Sequence, residues 1–235
     1  MTLLVAMVAD PAEALPDVPR TAPVSESEAA DLYRASFRDG LRAAVRSGGE
    51  LLVNYPEGRE ELARELVAGA EGVSEEELRF EVQVGASFSA RVGNAVTHVL
   101  REEDEASAAV VDGRAPLLTH TVVDSAAMRL RRDDAVLAPG PNGSVAFAGF
   151  CDAPDFEGAF EAPALPTLAR RCADSGLETG FLAHQPVLRT GSGLATVMGA
   201  IEARRAAGRA VPVHFAAAAD ELGLGLDGEE LVRGE

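Results

Sequence analysis

Two stretches decide how this chain is read: Val110-Val111-Asp112-Gly113-Arg114-Ala115-Pro116-Leu117-Leu118-Thr119 and, further on, Asp134-Ala135-Val136-Leu137-Ala138-Pro139-Gly140-Pro141-Asn142-Gly143-Ser144. The first reads as a buried strand ending on an aspartate, then a proline-marked turn, then a helix start at Thr119. The second reads as a buried strand running into a glycine-proline turn and a short return strand, Val145 to Phe150. Ligands of open α/β sheets bind at the carboxyl ends of parallel strands, so Asp112 is the first residue to examine. The local alternative is a carboxylate that caps the turn from Gly113 to Pro116 through hydrogen bonds to its own backbone.

Outward from these stretches the same alternation continues. Leu3 to Val8 reads as a first strand, and the segment carrying Pro11, Pro16, Pro19 and Pro23 must be extended or turning. Ser25-Glu26-Ser27-Glu28 is a capping box; Leu32, Phe37, Leu41 and Val45 follow at helical spacing until Ser47-Gly48-Gly49. Leu51 to Val53 is a strand, Arg59 to Ala68 a helix, Leu78 to Val84 a strand and Phe88 to Glu103 a long helix. Ala108 to Val111 is a fourth strand, followed by a helix from Thr119 to Arg131 and by strands over Ala135 to Ala138 and Val145 to Phe150. The helix from Pro163 to Ser175 stops at Gly176. A strand over Thr179 to Ala183 and a helix over Gly191 to Ala207 come next, then a short strand, Pro212 to Phe215, and a short helix, Ala216 to Gly223. Strands alternating with helices of this length predict βαβ units. The expected fold class is α/β: three layers, α/β/α, around a mostly parallel sheet, in one domain over residues 1–235.

Composition sets the bounds. The chain is long enough for one α/β domain with a full core, with two possible but not required. Hydrophobic residues make up 47% and the mean hydropathy is +0.04, which excludes a disordered polypeptide. Apolar runs such as Leu3 to Ala9 are too short to span a bilayer. No basic segment precedes Leu3 to Val8, so that run is read as a core strand, not a signal peptide, and a cytoplasmic location is expected. The net charge is −17, and all 21 basic residues are arginine. Self-repulsion of that size costs compactness, but at molar salt the Debye length falls to about 3 Å and screens it. A lysine-free acidic surface therefore points to a halophilic, salt-filled cytoplasm; an arginine-biased genome is the other explanation. Neither nucleic acid nor anionic membrane is an expected partner, since both need a basic footprint. Cys151 and Cys172 lack metal-knuckle spacing and read as buried hydrophobes.

At Gln83-Val84-Gly85, Val111-Asp112, Pro116 to Thr119 and Leu137 to Ser144, the chain resembles a family of nucleotide-diphospho-sugar-transferase-like proteins with the glycosyltransferase A-type (GT-A) fold. The resemblance runs over nearly the whole chain in the same element order. It implies a nucleotide or nucleotide sugar as ligand, and glycosyl or nucleotidyl transfer as activity. It implies that Asp112 helps hold Mg²⁺ or Mn²⁺ on the phosphates, a role that needs oxygen ligands and usually one or two carboxylates. In the family's glycine-proline turn, which shapes the acceptor side, this chain places Asn142 and Gly143, with Asn142 where the family has aspartate. The family's first loop grips phosphates with a glycine and a basic residue; here Asp10 to Pro23 has no glycine, and Arg20 is its one basic residue. The family's late aspartate-x-aspartate-threonine metal motif corresponds to Val187-Leu188-Arg189-Thr190. Both acids are gone and Arg189 stands among them.

Arg20, Arg114 and Arg189 are therefore the candidate phosphate ligands, Asn142 and Gly143 further candidates for the nucleotide side, and Asp112 the candidate metal ligand. Gly191-Ser192-Gly193 opens a helix and either cradles an anion on its free amides or is an ordinary capped start. Asp152 and Asp155 flank Pro154 after the sixth strand and are candidate general bases. The histidines show no zinc pattern. His98 reads as a solvated helix residue, His120 and His184 as residues near the pocket, and His214 as part of the last strand. The competing expectation is a non-catalytic binding or assembly protein built on the same fold.

Overall fold

The structure is a computed structural model and describes residues 2–234. Its sheet has seven strands: β1 (Thr2–Met7), β2 (Leu51–Tyr55), β3 (Arg79–Val82), β4 (Ser107–Val111), β5 (Ala135–Pro139), β6 (Val145–Phe150) and β7 (Thr179–Phe181), in the order β3-β2-β1-β4-β6-β5-β7. β6 runs antiparallel to both of its neighbours, and the other pairings are parallel. The central strands β1, β2, β4 and β6 are buried almost throughout. That is why they read as continuous apolar runs, as strands covered on both faces do.

Alternate residues of β1 serve different cores. Leu4, Ala6 and Val8 face one layer, made by α3 (Glu26–Arg46), α4 (Glu60–Ala68), α6 (His120–Arg129), α8 (Gly191–Ala206) and α9 (Val213–Glu221). Leu3, Val5 and Met7 face the other, made by α5 (Phe88–Arg101) and α7 (Ala164–Asp174). This is the three-layer α/β/α arrangement expected from the sequence. α3 starts where the capping box predicts: the Ser25 hydroxyl accepts the Glu28 amide at 3.3 Å, and the Glu28 carboxylate accepts the Ser25 amide at 2.7 Å.

One local expectation fails, and two features go beyond what the sequence announced. The proline-rich first loop contains two single helical turns, α1 (Pro11–Ala14) and α2 (Val18–Thr21). Each has a proline in its first two positions, where the missing N–H has no helical partner to lose. Pro212 to Phe215 is not a strand, because Val213 opens α9. The cause is a tertiary contact: the buried Asp39 carboxylate of α3 accepts the amides of His214 (3.3 Å) and Phe215 (2.8 Å), capping α9 from another element. The chain then closes with an unforeseen hairpin, β8 (Leu224–Asp227) and β9 (Glu230–Arg233). No helix among the described residues is long and apolar enough to cross a membrane.

Candidate functional site

The chain leaves β1 to one side, through β2 and β3, and returns to β4 on the other side of β1. The carboxyl ends of β1 and β4 thus flank the point where strand order reverses, the place where open α/β sheets form a crevice. A cavity of about 340 Å³ occupies it. Its floor is Val110 to Arg114 of β4 and the following turn, together with Val145 to Ala148 of β6. β6 contributes because it runs antiparallel, so its first residues lie beside the last ones of β4: Val111 pairs with Phe147, and the Asp112 amide donates to the Ala146 carbonyl at 3.1 Å. Met7, Ala9, Glu13, Ala14, Tyr33, Phe88, Phe160, Ala164 and Arg189 complete the lining. Phe88 and Phe160 meet edge to face with centroids 5.5 Å apart.

Asp112 lies in this cavity but is not free. Its Oδ1 accepts the Arg114 amide at 2.9 Å and Arg114 Nε at 2.8 Å, and its Oδ2 accepts Arg114 Nη2 at 2.8 Å. The turn-capping role and a bidentate ion pair are therefore both realised, and only 13% of the Asp112 side chain is exposed. Burial on its own would raise this carboxyl. The charge and hydrogen bonds of Arg114, with Arg189 further out, outweigh it and hold the group below its ordinary value. Arg114 is correspondingly raised, since Asp112 overcomes the penalty of burial. The turn needs Gly113, because a Cβ there would lie 2.6 Å from the Phe37 ring.

Arg189 lies near the same carboxylate. Its Nη2 stands 4.0 Å from Asp112 Oδ2, beyond hydrogen-bond range. The segment that carries it is fastened around it: the Leu188 amide donates to the Arg114 carbonyl at 2.8 Å and the Gly191 amide to the Thr21 hydroxyl at 2.7 Å. Burial and the neighbouring Arg114 charge lower its pKa, with Asp112 pulling the other way. Tyr33 was not singled out in the sequence; it also lines the cavity. Its hydroxyl accepts the Ala9 amide at 3.0 Å, and burial raises its pKa.

The other expected site residues lie elsewhere. Arg20 is 76% exposed and pairs with Asp17. Asn142 and Gly143 form a turn with positive φ (55° and 72°) outside the cavity lining; asparagine and glycine stand there because they tolerate that backbone. Asp152 is an exposed turn residue that accepts the Ala153 amide, and Asp155 pairs with Arg171. Neither faces the cavity. The helix start at Gly191-Ser192-Gly193 is the ordinary capped one, since the Gly191 amide is taken by Thr21 and the Gly193 amide by Thr190. His98 pairs with Glu103, and His120 and His184 do not line this cavity.

The donor set does not fit a divalent cation. Mg²⁺ and Mn²⁺ need several oxygen ligands, whereas both Asp112 oxygens already serve Arg114 and two guanidiniums stand beside them. Among the described residues no group of three or more metal-ligating His, Cys, Asp or Glu side chains occurs.

This architecture is the nucleotide-diphospho-sugar transferase-like fold. The chain is similar over 94% of its length to a protein from Desulfovibrio desulfuricans provisionally assigned as a nucleotide-diphospho-sugar transferase, with 95% of that chain covered, TM-score 0.74 and 17% identity. It is also similar to CMP:2-keto-3-deoxy-manno-octonic acid synthetase complexed with CTP (TM-score 0.51, 10% identity, 87% and 99% covered). A cytidylyltransferase from Leptospira borgpetersenii gives TM-score 0.50 and 8% identity, with 94% and 93% covered. No protein-family model and no curated protein matches the sequence. Identities this low speak for the fold alone.

Proposed function

We propose that residues 1–235 form one domain that binds a nucleotide or nucleotide sugar in this cavity and transfers its glycosyl or nucleotidyl group. The observation that carries the reading is Arg189, a guanidinium lining a cavity at the carboxyl ends of β1 and β4 and bonded to no acceptor among the described residues. A phosphate is the chemistry that a planar fork of N–H donors recognises. The apolar and aromatic parts of the lining, Phe88, Phe160, Met7 and Ala164, suit a base or sugar ring. Pockets of about 300–1,000 Å³ with few convergent polar groups hold ligands of this class. In transfer, positive charge fixed at the phosphates would stabilise the negative charge that grows on the leaving group. The CTP carried by the CMP:2-keto-3-deoxy-manno-octonic acid synthetase structure favours a nucleotide over other phosphorylated ligands.

The test is a thermal-shift panel of nucleoside triphosphates and nucleotide sugars in molar KCl, read by circular dichroism because the chain has no tryptophan. A ligand at a hundredfold excess over Kd stabilises the native state by about 2.7 kcal/mol, which raises Tm by about 5–10 °C at this chain length. Silence across the whole panel refutes the reading. With a binder in hand, release of pyrophosphate marks nucleotidyl transfer and release of a nucleoside diphosphate marks glycosyl transfer. Binding without either product leaves the non-catalytic binding protein.

A further inference from the structure

We propose that this cavity seats a phosphate group directly on Arg189, with the Arg114–Asp112 pair as its fixed frame and no divalent cation between ligand and protein. The inference rests on the nucleotide-binding reading and adds how the phosphate is held. Two guanidiniums, Arg114 and Arg189, share the single carboxylate of Asp112. Within this cluster of three side chains one positive charge is in excess, and the other acid of the lining, Glu13, is exposed to solvent. A divalent ion placed at Asp112 would have to displace the Arg114 fork and would meet both cations. An anion entering from the cavity would meet neither obstacle.

The two arginines have different tasks. Arg114 commits Nε and Nη2 to Asp112, at 2.8 Å each, so its guanidinium is locked in place. Arg189 makes no hydrogen bond to the described residues, and 41% of its side chain is exposed, so its N–H donors are available to a ligand. Its backbone is held on both sides, by Leu188 on the Arg114 carbonyl and by Gly191 on Thr21. This is a preformed donor, in which little ordering remains to be done on binding. The positive end of the sixteen-residue α8 begins two residues later. Tyr33 also lines the cavity; its hydroxyl accepts the Ala9 amide and donates to no acceptor among the described residues.

The metal-bridged and direct arrangements predict opposite behaviour, and inorganic pyrophosphate is the probe that separates them. Isothermal titration calorimetry on the full chain compares binding in EDTA with binding in excess Mg²⁺ or Mn²⁺. The direct seat requires affinity in EDTA at least equal to that with either metal. Arg189→Gln should weaken it by about tenfold to a hundredfold, the strength of a charge-assisted contact, while Arg189→Lys restores part of the loss. Asp112→Asn loosens the frame around Arg114 but leaves the Arg189 donors, so any change in pyrophosphate affinity should be the same in EDTA and in excess Mg²⁺ or Mn²⁺. Loss of a metal ligand at that position would instead remove binding only where the metal is present. Should Asp112→Asn fail to fold by circular dichroism, the Arg189 pair and the EDTA comparison still decide. A tenfold gain in affinity from Mg²⁺ or Mn²⁺ overturns the proposal, as does an unchanged Arg189→Gln. If pyrophosphate fails to bind in either condition while nucleotides stabilise the chain, the phosphate seat is wrong and the nucleotide reading stands. If nucleotides also fail, both fall.

Discussion

Replacing Asp112 by alanine tests the site's construction without any ligand. The substitution removes the acceptor of three hydrogen bonds from Arg114, two of them from its guanidinium. Breaking a buried ion pair by deleting one partner costs about 3–5 kcal/mol, because the other charge is left uncompensated. The Arg114 side chain is 24% exposed, so water recovers part of this and the lower end, about 3 kcal/mol, is expected. With a urea m-value of about 3 kcal/mol/M, the upper end of the usual range, the midpoint should fall by about 1 M. The companion variant Arg114→Met and the double variant complete a cycle whose coupling should reach about 2 kcal/mol. The effect also depends on pH in a defined direction. Asp112 has a folded pKa below its ordinary 3.8, so its contribution is fully present above that value and fades as pH falls through the folded value. The gap between wild type and variant should therefore be constant near neutrality and close in acid. A loss under about 1 kcal/mol at neutral pH, or a coupling below about 0.5 kcal/mol, would show that the clasp is not holding the turn.

Gly191→Ala places a Cβ on the Thr21 carbonyl oxygen. It should cost about 1–3 kcal/mol by overpacking and reduce pyrophosphate binding as well, because the residue two positions earlier is Arg189; equal affinity in a destabilised variant would separate the two effects. His214 accepts the Glu71 amide on Nε2, and burial chiefly holds its pKa below the ordinary 6.5. Its contribution is present above 6.5 and is lost as pH falls through the folded value. Wild type should therefore lose stability relative to His214→Gln as the pH is taken from about 7.5 to about 5. Parallel stability curves for the two proteins would refute this.

Much of the fold was readable because its causes are local. The capping box set the start of α3, and the buried strands β1, β4 and β6 announced themselves as apolar runs. Asp112 was found for the same reason, as a carboxylate at a strand end. What stayed hidden depends on partners distant in sequence. α9 is capped by Asp39 from α3, so its first residues carry no signal of their own and read as strand. Tyr33 repeats at the spacing of core residues, and nothing in the sequence shows that its hydroxyl reaches Ala9 at the mouth of a cavity.

The arginines mark the division most sharply. Read as a string of residues, the chain already shows an acidic, lysine-free α/β protein with an aspartate at the end of its fourth strand, and the family resemblance sets Val187 and Arg189 where it implies two acids. What those charges do to one another emerges only on folding, because a charge acts through distance and burial, and neither is written in residue order. Folding turns Arg114 back onto Asp112, leaves Arg189 facing the cavity without an acceptor among the described residues, and sends Arg20 to the surface.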